Sequence, residues 1–438
     1  MARTLFGTDG IRGVAGQPPL DAATVYAFGQ ALGEWVAHHG APRVVIGMDT
    51  RESGPALAEQ LAGGLAAAGA EAHFAGLTTT PGVAYLTRTE DFVAGVMISA
   101  SHNPYQDNGL KAFSHDGFKL PDDDEQQLED RILAIVASGA APATRPLRAD
   151  PAYDRHYLDY LRSTFLGSLQ GYKLVLDCAN GAACEIGPEL FTSLGAEVVA
   201  TGCSPDGRNI NLHCGALHVE ALRQRVLDEG AHFGAAFDGD ADRCILVSGS
   251  GKIIDGDHAM FISALHLRPA AVVATVMSNL GLERALQRES IELVRTAVGD
   301  RYVIEEMVRS GLPLGGEQSG HVIFRQYATT GDGLLTALRV LEIAVKNGRT
   351  LDELTAAFTV YPQKLVNVRF KNKRPLSELP TVQAAIRSTE QEFGDAGRVL
   401  VRFSGTEPLA RVMVEGPTEE SVSAAAHHIA AEIESALS

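Results

Sequence analysis

Cysteine is scarce and unpatterned: five residues, at 178, 184, 203, 214 and 244, an odd number with no C-x-x-C pair. That excludes a disulfide framework and a zinc site of the usual spacing, and leaves reduced thiols. Positive charge is short as well. Lys and Arg number 37 against 54 Asp and Glu, a formal charge of −17, so the surface is not built to displace counterions from a nucleic-acid backbone. A local basic pocket inside an acidic protein can still take a small anion. No apolar run reaches the roughly 18 residues of a membrane span, and the opening Met1-Ala2-Arg3-Thr4-Leu5-Phe6-Gly7 lacks a signal peptide's apolar stretch. The expectation is a cytoplasmic protein with neither nucleic-acid nor membrane partners.

What remains is a globular composition: 438 residues, 45% hydrophobic and 21% charged, too long for one core, which points to two to four domains. The first stretch alternates helix and strand: an Asp21-led helix to Gly40, strand Arg43–Asp49, helix Gly54–Gly69, and strands Glu71–Leu77 and Phe92–Ala100. After the Pro- and Ala-rich segment Ala140–Pro151, read as a linker, come strand Tyr172–Asp177, a helix around Pro188–Leu194, strand Ala196–Ala200, helix Val219–Glu229 and strand His232–Phe237. A third round runs through helix Asp257–Leu267, strand Ala270–Met277, helix Leu282–Arg288, strand Glu292–Arg295, helix Tyr302–Ser310 and helix Gly333–Lys346. Past Pro362 the pattern becomes strand, helix, strand, strand, helix, the grammar of a smaller α+β domain.

Four clusters carry chemistry. Ser101-His102-Asn103-Pro104 follows an apolar strand, at the carboxyl end where open α/β sheets place ligands. Serine with Asn-Pro also simply makes a turn. A hydrolase nucleophile is disfavoured, since Ser101 lacks the glycines of a G-x-S-x-G elbow. A serine that carries phosphate stays open, which would bring about −1.5 to −2 charges and three acceptor oxygens.

Asp238-Gly239-Asp240-Ala241-Asp242-Arg243 follows another apolar strand, and period-two alternation is expected to aim the three carboxylates to one side. Converging carboxylates repel unless a cation lies between them, and oxygen-only ligands favour magnesium over calcium or manganese. An EF-hand fails, with Arg243 at the sixth position and Gly249 at the twelfth.

Gly315-Gly316-Glu317-Gln318-Ser319-Gly320-His321 offers a carboxylate, an amide, a hydroxyl and an imidazole on a glycine-hinged loop, a set that suits vicinal sugar hydroxyls and equally suits a polar turn. Arg402-Phe403-Ser404-Gly405-Thr406-Glu407-Pro408, with Arg411 behind it, supplies guanidinium and hydroxyl donors that match a phosphate, or else a surface turn with incidental arginines. No Walker loop competes, because Gly249-Ser250-Gly251-Lys252 lacks the upstream glycine and is followed by Ile253.

The order of these motifs resembles the α-D-phosphohexomutase superfamily nearly end to end. The match includes Phe6-Gly7-Thr8-Asp9-Gly10-Ile11-Arg12-Gly13, Ser99-Ala100-Ser101-His102-Asn103-Pro104, Asp107-Asn108-Gly109-Leu110-Lys111 and the Asp238, Glu317 and Ser404 loops. The resemblance implies an α/β fold of three similar α/β/α domains with mixed sheets and a smaller C-terminal α+β domain, TATA-binding-protein-like, around a central cleft. The expected divisions are 1–150 with the phosphoserine loop, 151–250 with the metal loop, 251–362 with the sugar-binding loop and 363–438 with the phosphate-binding loop.

By the same resemblance Ser101 carries the phosphoryl group, and Mg2+ is held by Asp238, Asp240 and Asp242 together with Ser101. Glu317, Ser319 and His321 bind the sugar, and Arg402, Ser404, Gly405, Thr406 and Arg411 bind the distal phosphate. Lys111, Arg12, His102 and Arg243 fall to the catalytic side, with Lys111 the first choice to move the proton. Gln318 and the Phe6–Gly13 opening look like the amino-sugar branch. This implies interconversion of glucosamine 6-phosphate and glucosamine 1-phosphate through a hexosamine 1,6-bisphosphate, which also serves as activator, toward UDP-N-acetylglucosamine, in a monomer or homodimer. The rival readings are a phosphomannomutase or phosphoglucomutase, a phosphosugar phosphatase and a non-catalytic sugar-phosphate sensor. In two places the chain departs from the family: Phe403 stands where Pro is common, and Ala241 where Gly is common.

Overall fold

The computed structural model describes residues 4–7, 9–404 and 408–437. Its first stretch runs β1 (Phe6–Gly7), β2 (Gly10–Val14), α1 (Ala22–Ala37), β3 (Arg43–Met48), α2 (Gly54–Ala67), β4 (Glu71–Leu77), α3 (Thr80–Thr89), β5 (Ala94–Ile98), β6 (Asp107–Ser114) and α4 (Asp122–Ala137). The second runs α5 (Pro151–Thr164), β7 (Lys173–Asp177), α6 (Ala183–Ser193), β8 (Glu197–Thr201), α7 (Val219–Asp228), β9 (Phe233–Phe237), β10 (Cys244–Ser248) and β11 (Ile253–Ile254). Then come α8 (Gly256–Leu267), β12 (Ala271–Thr275), α9 (Leu280–Arg288), β13 (Glu292–Thr296), α10 (Asp300–Ser310), β14 (Leu314–Gly316), β15 (Val322–Phe324), α11 (Gly333–Asn347) and α12 (Leu351–Leu354). The chain finishes with β16 (Gln363–Arg369), α13 (Pro380–Phe393), β17 (Arg398–Phe403), β18 (Leu409–Glu415) and α14 (Glu419–Leu437).

Three mixed sheets, ordered β1-β2-β6-β5-β3-β4, β11-β10-β9-β7-β8 and β13-β12-β14-β15, are joined by helices. The fourth sheet, β16-β18-β17, is wholly antiparallel. This is the expected set of three α/β/α layers and a small α+β piece. By contact density the described residues form two compact units, one from 1–277 and 293–355, the other from 278–292 and 356–438. No helix among them is long and apolar enough to cross a membrane.

The strands that feed the candidate site, β5 and β9, are buried along their whole length, which explains their unbroken apolar sequence. Short polar residues start the helices. Asp21 accepts from the amides of Ala23 and Thr24 at the head of α1, and Asp332 from that of Leu335 at the head of α11. The helix expected from Pro188 begins a turn earlier, at Ala183, with Pro188 inside it. Pro188 leaves only one carbonyl, four residues back near the helix start, without its donor, so the helix tolerates it.

Candidate active site

In the first sheet β6 lies between β2 and β5, which sets Lys111 opposite Met97 and Arg12 opposite Gly109. Ser101 stands three residues past the end of β5, buried, in a left-handed conformation at φ 53° that a non-glycine residue adopts only where its surroundings hold it. The holding groups are specific. The Ser99 hydroxyl accepts from the Ser101 amide at 2.9 Å and donates to Asp49 at 2.6 Å. Arg51, among the largest fully buried side chains, donates to the carbonyls of Ser101 (3.0 Å), Asn103 (2.8 Å) and Asp107 (2.9 Å), to that of Pro104, and to Asp49 (2.9 Å). One guanidinium thus fixes the loop from 101 to 107. Asn211 adds a bond to the Ser101 carbonyl at 2.9 Å.

The three aspartates converge, but not through strand alternation. They occupy the turn joining β9 to β10, an antiparallel pair in which Phe237 faces Cys244. The turn closes on the Asp238 carbonyl, which accepts from Ala241 N–H, and Ala241 sits at φ 56°. A β-carbon in that region costs about 1–2 kcal/mol, which explains why glycine is the usual choice where this chain has Ala241.

The carboxylates are buried, with oxygens within 4.8 Å of one another. Asp238 Oδ2 accepts from the Ser101 hydroxyl at 2.6 Å. Lys111 Nζ is 2.7 Å from Asp240, 3.2 Å from Asp9 and 3.7 Å from Asp242. Thr80 also donates to Asp240. Arg243 Nε stands 4.0 Å from Asp238 and 3.8 Å from Asp242. Arg12 pairs with Asp9 and reaches the Ala100 carbonyl at 3.4 Å.

Burial pushes the Asp238 carboxyl well above the usual range, and the charges of Asp242 and Asp240 push it further. At Asp242 the penalty of burial is outweighed by Lys111 and His321, which hold the carboxyl below its ordinary value. Burial works against the Lys111 ammonium, yet Asp240 and Asp9 more than compensate and keep it charged. His102, with Nδ1 3.4 Å from the Ser101 hydroxyl, is pulled down to about 4 by burial and by the nearby Arg243 and Arg12.

The sugar-loop candidates lie in the hairpin between β14 and β15. Glu317 accepts from Gly299 N–H at 3.1 Å and from Ser319 at 3.4 Å, and Ser319 is exposed. The Glu317 charge acts on both Arg243 and His321, so this loop belongs with the carboxylate cluster. His321 is buried, and Gly331 N–H donates to its Nε2 at 3.0 Å, which leaves the ring proton on Nδ1, 3.6 Å from Asp242. Burial disfavours the His321 cation and Asp242 favours it, with a net upward shift.

Ser101, His102, Lys111, Arg12, Arg243, the three aspartates and His321 therefore share one polar cluster. Arg402, Ser404 and Arg411 belong to the C-terminal unit, where Arg402 and Arg411 face each other across β17 and β18. Burial and the neighbouring Arg411 lower the Arg402 guanidinium from its usual value. Ser404 is buried, its N–H donating to the Leu409 carbonyl at 2.7 Å. Gly405 and Thr406 lie outside the described residues.

Residues around the cluster that escaped the sequence reading include Asp9, Asp49, Arg51, Thr80 and Asn211, and the pair Lys119 and Asp300, joined to the cluster through Asp9. Asp9 lay in the quoted opening motif without a role, and the others belong to no motif.

The clearance between the two loops is small. A methyl group on Gly239 would stand 2.5 Å from the Ser101 carbonyl and 2.9 Å from Asn211 Nδ2. Gly239→Ala is expected to force the loops apart at a cost of about 1–3 kcal/mol. Urea unfolding would read this as a lower midpoint at unchanged slope.

The chain belongs to the phosphoglucomutase/phosphomannomutase family. It matches alpha/beta/alpha domain I over residues 3–138, domain II over 155–251, domain III over 255–361 and the C-terminal domain over 365–432. Within the family it is 60% identical over 429 residues to a phosphoglucosamine mutase of Solibacter usitatus, covering 96% of each chain. It is 48% identical over 453 residues to the phosphoglucosamine mutase of Koribacter versatilis, covering 99% of this chain and 97% of that one. A solved phosphoglucomutase/phosphomannomutase family protein from Burkholderia thailandensis superposes with a TM-score of 0.81 at 25% identity, covering 98% of this chain and 97% of that one.

Proposed function

We propose that the chain is a phosphohexose mutase that interconverts glucosamine 6-phosphate and glucosamine 1-phosphate, with Ser101 as carrier of the phosphoryl group. The observation that carries this reading is the Ser101 hydroxyl, 2.6 Å from Asp238 within a buried carboxylate trio. In the forward direction the phosphorylated Ser101 oxygen loses its bond to phosphorus, and the sugar's free 1-hydroxyl gains it. The 1,6-bisphosphate then presents its other phosphate, and the serine oxygen takes back that phosphoryl group. Glucosamine 1-phosphate leaves and the carrier is restored.

Magnesium fits the residues present. Among the described residues, Asp240 Oδ1 and Asp242 Oδ1 are buried and accept no hydrogen bond, so the site holds acceptor oxygens with nothing to accept from. Asp238, Asp240 and Asp242 would hold the ion with an oxygen of the Ser101 phosphate. When bound it supplies the positive charge that lets a phosphate of about −1.5 to −2 sit beside three carboxylates.

The chain's own residues do the rest. Arg12, Arg243 and Lys111 are fixed cations around the point of transfer, where phosphoryl transfer depends on positioning and charge stabilisation. Lys111, expected to move the proton, is enclosed by three carboxylates and has no capacity left to accept one. His102 Nδ1, 3.4 Å from the Ser101 oxygen, is placed to take the serine's proton when that oxygen attacks the bisphosphate and to return it when the oxygen leaves. Glu317 and Ser319 suit the sugar hydroxyls. Arg402, Ser404 and Arg411, with Gly405 and Thr406, suit the phosphate not being transferred.

A panel of glucosamine, mannose and glucose 6-phosphates, each with a trace of its 1,6-bisphosphate, tests the reading. The amino sugar is expected to show the highest kcat/KM, and intact-mass analysis is expected to place one phosphate on the peptide containing Ser101. Preference for a neutral sugar would assign the chain to the other branch. Stoichiometric release of inorganic phosphate would make it a phosphatase.

A further inference from the structure

Lys119 pairs with two carboxylates, Asp9 and Asp300, the latter at 2.5 Å. Asp9 is 3.2 Å from Lys111, which is 3.7 Å from Asp242. Asp242 also lies 3.6 Å from His321 Nδ1. The ion pairs run as a circuit of alternating acid and base from Asp242 through Lys111, Asp9 and Lys119 to Asp300. Each half of the circuit ends on a different part of the proposed machinery. Through Asp9 it reaches Lys111, which pairs with Asp240 of the carboxylate trio. Through Asp300, the first residue of α10, it reaches the sugar loop, because Gly299 immediately before it donates to Glu317 at 3.1 Å.

We infer that Lys119 is a positioning residue of the reaction, fixing Lys111 through Asp9 and Glu317 through Asp300, so that the phosphoryl-transfer and sugar-binding groups are held in register with each other. The inference rests on the reading of the site as a mutase. A neutral side chain at 119 would leave Asp9 with Lys111 and Arg12 alone and would free Asp300 from its cation. Lys111 would be drawn toward Asp9, and the turn at 299–300 would loosen under Glu317. Lys119 also lines a pocket of 440 Å³ with Ser114, Phe118 and Thr329, so a replacement of similar length meets open space and should fold.

The test compares Lys119→Met with Lys119→Arg, using whichever hexose or hexosamine 6-phosphate the wild-type chain turns over best. Lys119→Met is expected to lower kcat and raise KM together, kcat by about tenfold to a hundredfold, the loss that a displacement near 1 Å brings. Lys119→Arg keeps the charge between the two carboxylates and should recover most of both. Kinetics of Lys119→Met within twofold of wild type would overturn the inference. So would equal loss in both variants with matching falls in melting temperature, which marks a purely structural residue. Hydrogen exchange over 9–14 and 296–321 gives a readout independent of turnover. Faster exchange in both segments for Lys119→Met but not for Lys119→Arg upholds the circuit, and unchanged exchange refutes it. A wild-type chain inactive on every phosphosugar would sink the proposed function alone, and the exchange comparison would still decide the role of Lys119.

Discussion

Ser101→Ala is expected to reduce mutase turnover below about a thousandth of wild type while the protein stays folded, because it removes the atom that accepts and returns the phosphoryl group. The folded state loses little. The hydroxyl makes one strong bond, to Asp238, whose other carboxylate oxygen still accepts from the Arg243 amide at 3.2 Å. The stability cost should therefore stay near the worth of a single hydrogen bond, about 1–2 kcal/mol. Incubation with the 1,6-bisphosphate should add mass to the wild-type peptide and none to the variant. Divalent-ion binding should persist, since the three aspartates are untouched. Residual turnover above a few per cent would mean another group carries phosphate, and the assignment would fall.

What the sequence disclosed and what it hid divide along a physical line. The buried strands β3, β5, β7, β9 and β12 each carry a short apolar run, and capping residues such as Asp21 and Asp332 announce the helices that follow those caps, so the three α/β layers were legible. The loops at strand ends were legible too, because several functional side chains sit within a few residues of one another in each. Less visible were α4 and α5, although both carried signals. Pro121 leads into four acidic residues, Asp122 to Glu125, in the first turn of α4, and Asp150 caps α5 with Pro151 at its first position. The β1–β2 hairpin has only two residues in its first strand and no alternation to read. The convergence of Asp238, Asp240 and Asp242 was foreseen for the wrong reason. Strand pleating would have aimed them alike, but a turn with Ala241 in the left-handed region gathers them instead. Solitary charged residues were the real blind spot. Lys119 and Asp300 are 181 positions apart, and nothing local marks either as half of an ion pair.

Arg51 is the other such residue, and its replacement should have the largest effect on stability. Arg51→Met is expected to cost about 3–5 kcal/mol, the range seen when one partner of a buried pair is removed. Two losses combine. Asp49, fully buried, keeps only the Ser99 hydroxyl and the amide of residue 51 as donors, and the carbonyls of Ser101, Asn103, Pro104 and Asp107 each lose one donor, although Asn211 still serves the first two and the Asp107 amide the third. Arg51→Lys should recover only part, since an ammonium has three donors where the guanidinium presents five in a fixed fork. The pH dependence separates the two losses. Burial already raises the Asp49 carboxyl in the wild type and Arg51 opposes it, so in Arg51→Met the folded state should bind the Asp49 proton at still higher pH. A folded-state pKa above the unfolded one makes stability fall as pH rises between the two values, so the deficit should be smaller at about pH 5 than at about pH 8. Urea unfolding at both pH values would measure it. A deficit below about 1 kcal/mol would show that the loop from 101 to 107 holds its shape without Arg51, whereas a large deficit independent of pH would assign the loss to the four carbonyls and clear Asp49.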